Sequence, residues 1–195
     1  MKTKKKHSLF MAGYTLLLFV LFVVACNGTQ TTTKTSTETL PTPVYTLSTD
    51  TVPFRFDVSN QAKFSSQQTK KNEYFCNITY PALNAQLYCT WHRIEPIDFS
   101  IVAEESHRLV YQHTEMATAI KEHLYANDSS RVYGILYDIQ GNVATPLQLA
   151  LTDSNSYFFN ASLYFNSVPN ADSIAPVLEY IRKDVVRLME TYRSR

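Results

Sequence analysis

The sequence predicts an α+β fold, in which an antiparallel sheet of sequential strands packs against helices and a C-terminal amphipathic helix completes the domain. Three observations favour it. Residues 72–94 have a hairpin pattern, three strand-like runs follow one another over 132–166, and residues 173–192 carry apolar side chains at helical spacing. The chain of 195 residues is 45 % hydrophobic, with 13 Tyr and 11 Phe, which suffices for one core.

The first 25 residues are predicted to be a lipoprotein signal peptide. Four lysines precede an apolar run from Leu9 to Ala25, and the run ends in the sequence VVAC. A basic head, an apolar middle and a small residue before the cut are typical of an export signal. Cys26 lies where the lipobox of bacterial lipoproteins requires the acylated cysteine. An uncleaved single-span anchor is the alternative, because the apolar run has nearly the length needed to cross a bilayer.

Residues 26–51 are predicted to be the lipidated cysteine and a disordered stalk. Eleven of residues 27–51 are threonine, and no apolar pattern recurs there. Such a segment cannot bury enough surface to offset the entropy of ordering it. Fully extended, it would reach about 80 Å. A single α+β domain is therefore expected over residues 52–195.

The hairpin at 72–94 is predicted with a specific register. Folding about Ala82-Leu83 places apolar side chains on one face and polar ones on the other. The pairs are then Tyr80 with Ala85, Ile78 with Leu87, and Cys76 with Cys89. Because Cys76 and Cys89 are exported and directly opposed, the sequence permits a disulfide between them. Two buried reduced thiols are the alternative.

The elements around the hairpin are less sharply defined. Residues 53–58 alternate and predict an edge strand, and a polar stretch then extends to Asn72. Residues 98–113 have helical apolar spacing, with Asp98 as the predicted N-cap. Residues 116–125 fit either a helix end or a strand.

The C-terminal part is predicted as a meander followed by a helix. Its strands are expected at 132–139, 143–151 and 157–166, and its helix at 173–192. The first two strands join through Gly141-Asn142, which is a tight-turn signal. Asp172 or Ser173 is expected to cap the helix.

No combination of residues predicts catalysis, a cofactor or a metal site. His107 and His113 are six residues apart, which does not suit helical metal ligands. A hydrolase would have to combine His113 with Asp138 or Asp153. Without residues 1–25, which hold four lysines and no acid, 14 basic residues face 17 acidic ones, a formal charge of −3. This balance argues against a nucleic-acid partner.

The C-terminal half resembles a known family. The stretches "YGILYDIQGN", "LTDS" and "LYFNSVPNADSIAPV", together with the lipobox, are similar to the gliding-motility lipoprotein GldD family of Bacteroidota, over about Pro53 to Tyr192. The resemblance implies an envelope lipoprotein required for surface gliding, associated with the type IX secretion machinery and without known enzymatic activity. It assigns the lipid attachment to Cys26. Its implied partners are the bilayer, reached through acylated Cys26, and other envelope proteins of the apparatus.

Two modification sites and an orientation are also expected. Asp50-Thr51-Val52 and Asp172-Ser173-Ile174 resemble the Asp-Ser/Thr-apolar acceptor of Bacteroidota O-glycosylation, which makes Thr51 and Ser173 candidate acceptors. No acidic run follows Cys26, so the domain is expected to face the periplasm, from either the inner or the outer membrane.

Two functions compete at this point. The first is a non-enzymatic accessory lipoprotein that docks to envelope proteins of the motility and secretion apparatus. The second is a lipoprotein that binds a glycan or a peptide on a sandwich of the PsbP or Mog1 type, through Tyr88, Phe158 and Tyr164. Packing of these aromatic side chains under a second helix layer is the alternative. A deep apolar pocket would favour the second function, and a filled sheet face would exclude it.

Overall fold

Seven of the described strands form one antiparallel sheet around which the rest of the fold is arranged. The computed structural model describes residues 40–48, 52–112, 116–167 and 170–195. In chain order the strands are β1 (Tyr45–Leu47), β2 (Phe54–Arg55), β3 (Asp57–Ser59), β4 (Lys63–Lys70), β5 (Glu73–Tyr80), β6 (Ala85–Arg93), β7 (Ala117–Asn127), β8 (Val132–Gly141), β9 (Leu147–Thr152), β10 (Tyr157–Phe165) and β11 (Arg193–Ser194), and the α-helices are α1 (Phe99–Tyr111) and α2 (Ala171–Thr191). The predicted signal peptide, Cys26, Thr51 and His113 lie outside the described residues.

The large sheet consists of two meanders joined side by side. Its strand order is β4-β5-β6-β10-β9-β8-β7. Strands that follow each other in the chain are neighbours, except that α1 separates β6 from β7, and β6 pairs with β10 instead. All of these pairs are antiparallel. The α+β class, the sheet of sequential strands and the C-terminal helix are therefore confirmed.

The β5–β6 hairpin has the predicted register. Its pairs include Tyr80 with Ala85, Ile78 with Leu87, and Cys76 with Cys89. Cys76 and Cys89 are both buried and both free thiols in the structure. Burial is the main cause that raises the pKa of the Cys89 thiol, and the neighbouring Cys76 raises it further. The register that the disulfide requires is present, but the two thiols are not bonded in the structure. The disulfide therefore stays a prediction.

The face of the large sheet that packs against α2 is here called the inner face. Ile181, Val185 and Leu188 of α2 are buried against it. Two short ribbons, β1 with β3 and β2 with β11, cover the rest of this core. Phe54, Phe56, Trp91, Phe159 and Tyr192 meet there with ring centroids 5.2 to 6.3 Å apart and are here called the aromatic cluster.

Residues 40–48, which belong to the segment predicted to be a stalk, pack onto the folded unit. The compact unit spans Leu40–Arg195. Strand β1 pairs with β3, and the Tyr45 hydroxyl donates to Asp184 Oδ1 of α2 at 2.6 Å. The Ser48 hydroxyl accepts from the backbone N–H of Phe56 at 3.1 Å. The apolar and hydroxyl side chains at the end of the threonine-rich segment therefore find partners that residue composition alone does not show.

The two edge strands of the large sheet occupy segments with weak sequence patterns. Strand β4 lies in the polar stretch before Asn72, and of its side chains Phe64 packs against the core. Strand β7 settles the ambiguous segment 116–125 as a strand. Both are held by backbone pairing with one neighbour, so neither needs an apolar face.

The N-terminus of α2 is capped by residues other than those predicted. The Asn170 side chain accepts from the backbone N–H of Ser173 at 3.1 Å, and Asn142 Oδ1 accepts from the N–H of Ala171 at 2.9 Å. The helix starts two residues earlier than predicted, because two asparagine side chains satisfy its first N–H groups. The expected cap, Asp172 or Ser173, therefore lies inside the first turn. The Ser173 hydroxyl donates to the backbone oxygen of Asn170 at 3.0 Å, and Ser173 stays a predicted acceptor for glycosylation.

Candidate functional site

Helix α1 covers the outer face of the sheet, opposite α2, at only one end. It begins at Phe99, after Asp98, whose side chain makes no capping hydrogen bond and so does not act as predicted. Val110, near the C-terminal end, is the single buried residue of α1. It packs against Tyr137, Ile139 and Val143. The N-terminal half of the helix therefore has no buried contact with the strands below it.

A cavity of about 550 Å³ lies between α1 and strands β7 to β10. Its lining includes Phe99 and Ala103 of α1, Leu124 of β7, Ile135 of β8, Ala150 of β9 and Phe158 of β10. Leu124 is 81 % exposed, which places it at the rim. The volume falls in the range of small-molecule sites, which is about 300–1,000 Å³. This cavity, here called the α1 cavity, is the candidate functional site.

Three of the hydroxyl groups that line the α1 cavity donate hydrogen bonds within the protein. Ser106 Oγ donates to Asn160 Oδ1 at 3.0 Å, and Thr152 Oγ1 donates to the Tyr157 carbonyl at 2.7 Å. The Tyr133 hydroxyl donates to Asp128 Oδ1 at 3.2 Å. The lining therefore has little unused hydrogen-bonding capacity to offer a polar ligand.

The side chains of two further lining residues are fixed, one by contacts outside the cavity and the other by burial. His107 stacks on Tyr111 with ring centroids 4.5 Å apart, and its Nε2 lies 3.5 Å from Glu122 Oε1. Burial, and then the charge of Glu122, raise the pKa of Tyr137 to about 12, so this phenol stays neutral. Tyr137 therefore contributes ring surface rather than a charge to the cavity.

The three aromatic residues predicted to line a pocket are divided between two places. Phe158 is buried, lines the α1 cavity and stacks on His92 at a centroid distance of 5.9 Å. Tyr88 and Tyr164 lie on the same outer face but form a separate edge-to-face pair, 5.4 Å apart. Phe158 therefore lines the α1 cavity, whereas the tyrosines line two other cavities of the outer face. Tyr88 lines one with Phe75, and Tyr164 lines one with Leu109 of α1.

Asp138 belongs to an ion-pair cluster on the opposite side of the sheet. Arg182 of α2 donates to it through Nε at 3.0 Å and also through NH2, and His123 Nε2 lies 2.7 Å from Asp138 Oδ2. The hydrogen bond to Asp138 raises the pKa of the Arg182 guanidinium. The cluster joins α2 to the edge strand β7 and to its neighbour β8, so these charges have a structural role.

Asp153 is used by its own turn. Its Oδ1 accepts from the backbone N–H groups of Asn155 at 3.0 Å, Ser156 at 2.7 Å and Tyr157 at 3.3 Å. Burial acts to raise the pKa of Asp153, but these bonds and the Ser156 hydroxyl outweigh it and lower the pKa. The two aspartates considered for a hydrolase thus have separate structural partners, and His113 lies outside the described residues.

Asp184 of α2 is a buried acid on the inner side, 5 % exposed. It accepts from Tyr45, as above, and Arg187 on the next turn lies over the Tyr45 ring at 5.6 Å. Burial raises the pKa of Asp184, and the hydroxyls of Tyr45, Tyr80 and Ser59 offset this only in part. The protonated form is therefore favoured more in the folded state than in the unfolded one.

Asp184→Asn is expected to stabilise the protein at pH 7 by about 1 kcal/mol, the scale of one hydrogen bond. Because the folded-state pKa lies above the unfolded one, the wild type loses stability as the pH rises through the folded pKa. The gap between variant and wild type should close below about pH 4, where the carboxyl is protonated in both states. Urea unfolding at a series of pH values measures it.

Asp98→Asn is the matched control for this change, since Asp98 is exposed and its side chain makes no capping bond. It should show no comparable pH-dependent gap. An Asp184→Asn variant that is less stable than the wild type at pH 7 would show instead that the ionised carboxylate holds Tyr45.

Metal binding and membrane crossing find no support in the described part of the chain. Within it, no group of three or more His, Cys, Asp or Glu side chains is placed to hold a metal ion. Neither α1 nor α2 combines the length and the apolar content that a membrane-crossing helix needs.

Sequence reasoning missed most of the α1 cavity. Phe99, Ala103, Leu124 and Ile135 carry no motif, and they meet only because α1 crosses strands far away in sequence. One signal was available in the sequence. Residues 132–139 carry apolar side chains on the outer face of the strand as well as on the inner face, where a strand covered on one side alone would be polar.

Comparison with known proteins gives a match over nearly the whole chain. A family model described as gliding motility lipoprotein GldD covers residues 29–193. The matched region contains the large sheet, both helices and the α1 cavity. No curated protein matches the sequence.

Proposed function

The chain belongs to the gliding motility lipoprotein GldD family, as its motifs predict, and we propose that it is a non-enzymatic accessory component of the gliding and type IX secretion machinery. In this proposal acyl chains on Cys26 hold the protein at the bilayer, and the residues before Leu40 act as a stalk. The domain faces the periplasm and docks to other envelope proteins. The observation that carries the proposal is the family match over residues 29–193.

Two surface features support docking. Strands β4 and β7 end the large sheet, and each pairs with a single neighbour among the described strands, so each offers an edge to which a partner strand can add. Apolar side chains are also exposed at the start of α1, where Ile97 is 83 % and Ile101 is 67 % exposed. Exposed apolar residues and an open strand edge each suit a protein partner better than water.

Deletion of the gene is expected to abolish surface spreading and to impair type IX secretion, and the wild-type gene should restore both. Ile101→Glu should fail to restore spreading, since a charge would be placed in the proposed contact. Crosslinking in cells followed by identification of the captured proteins should show the same loss.

Leu47→Glu is the matched control, because Leu47 is an exposed apolar residue on β1, on the inner side of the sheet. It should restore spreading like the wild type. Unchanged spreading and secretion after deletion would contradict the proposal.

The α1 cavity favours ligand binding as a second candidate function. A partly covered outer face with an apolar cavity is the arrangement that this alternative requires. A glycan or a peptide would have to be recognised by the polar groups of the lining. Their existing hydrogen bonds make this the weaker of the two proposals.

A further inference from the structure

The α1 cavity points to a ligand of another chemical class. We infer that it binds a single aliphatic acyl chain. The inference does not depend on the docking role, because it rests on the cavity alone.

Most of the surface that lines the cavity is apolar. Phe99 and Ala103 form the roof, and Ile135, Ala150 and Phe158 form the floor. An aliphatic chain gains binding free energy with each methylene group that it buries. A cavity of about 550 Å³ can take several such groups. Apolar burial alone can therefore provide binding there.

The hydrogen bonds of three lining hydroxyls favour this chain over a polar ligand. A sugar or a peptide backbone that entered would give up its bonds to water and would find these three protons already engaged. Ser106, Thr152 and Tyr133 donate their protons to Asn160, Tyr157 and Asp128. An acyl chain needs no such partner and loses nothing on this account.

The construction of α1 gives such a chain a way in. The helix is buried through Val110 at its C-terminal end, whereas Ala103 is only partly buried. Leu124, at the rim, presents an apolar side chain to solvent. A chain that enters beside Leu124 covers this side chain and leaves its polar head group in water. A lipoprotein domain is tethered where such chains are abundant.

Photolabelling of the mature lipoprotein in phosphatidylethanolamine vesicles tests the inference. The probe is palmitic acid with a diazirine in its chain, and crosslinked peptides are located by mass spectrometry. Crosslinks are expected on Leu124, Phe158 and the first half of α1. Ala103→Trp, which fills the cavity from the roof, should reduce this labelling at least about tenfold.

Ala82→Trp is the matched control, because Ala82 is exposed in the turn between β5 and β6. It should label like the wild type. Ala150→Leu fills the cavity from the floor and replaces Ala103→Trp if that variant does not fold, as judged by circular dichroism. Undiminished labelling in a folded cavity-filling variant, or crosslinks confined to residues outside the cavity, would overturn the inference.

A second arm identifies the source of the chain. It uses phosphatidylethanolamine that carries the same diazirine in one acyl chain. Labelling by the phospholipid assigns the site to bilayer lipid, and labelling by palmitic acid alone assigns it to free fatty acid. Cavity variants that lose labelling but still restore spreading would leave the docking proposal intact, whereas a deletion without phenotype would leave the labelling result intact.

Discussion

Phe159→Ala is expected to lower the free energy of unfolding by about 3–5 kcal/mol, the usual cost of removing a buried aromatic ring. The side chain has no exposed surface, and its ring centroid lies 5.2 Å from that of Tyr192 and 5.7 Å from that of Phe54. The ring therefore joins the large sheet to the C-terminus and to β2. Since domains are stable by about 5–15 kcal/mol, the variant should unfold at much lower urea concentrations.

Phe75→Ala removes the same ring from β5, where the side chain is 45 % exposed on the outer face. It should cost less than about 1 kcal/mol, because little apolar surface returns to water. Equal losses for the two variants, followed by circular dichroism in urea, would show that the aromatic cluster does not dominate the core.

Gly134→Ala is expected to cost about 2–3 kcal/mol, even though it adds a single methyl group in a strand. A Cβ atom at this position of β8 would lie 2.2 Å from the Ala150 carbonyl oxygen and 2.5 Å from Leu151 Cδ2. Backbone atoms of β9 cannot move aside as a side chain can, so the β8–β9 pairing must shift. The midpoint of thermal unfolding should fall by several degrees.

The double variant Gly134→Ala/Leu151→Ala tests which contact matters. The stability lost in the double variant should be at least the sum of the losses in the two single variants, because the contact with the carbonyl oxygen remains. A clear rescue by Leu151→Ala would assign the cost to the leucine side chain instead.

The elements best predicted from the sequence are those in which apolar and polar residues alternate most strictly. The β5–β6 hairpin has one buried and one exposed face, so only one register satisfies its pattern, and that register is the observed one. Strand β4 was missed, since an edge strand of Ser, Gln and Lys with Phe64 as its single large apolar residue resembles a loop. Strand β7 was ambiguous for the same reason. Its formation depends on pairing with β8, which no local pattern encodes.

The candidate site was predictable only in part. Phe158 was identified because it is one of the aromatic side chains, with Tyr88 and Tyr164, that were expected to line a pocket. The cavity itself depends on how far α1 stands from the sheet, and that distance is set by Val110 and its distant partners on β8. The asparagine caps of α2 show the same limit, because Asn142 reaches the helix from 29 residues away.

The attachment of residues 40–48 has a mechanical consequence. A pull through the N-terminal tether reaches the domain at Leu40 and loads β1 from its open end, where Val44 and Asn60 exchange hydrogen bonds. The β1–β3 bonds and the Tyr45–Asp184 bond are then broken one after another rather than together. Release of these residues would lengthen the tether by up to about 25 Å before force reaches the large sheet. In the lipid-anchored arrangement proposed above, the β1–β3 ribbon would be the part of the fold that yields before the large sheet.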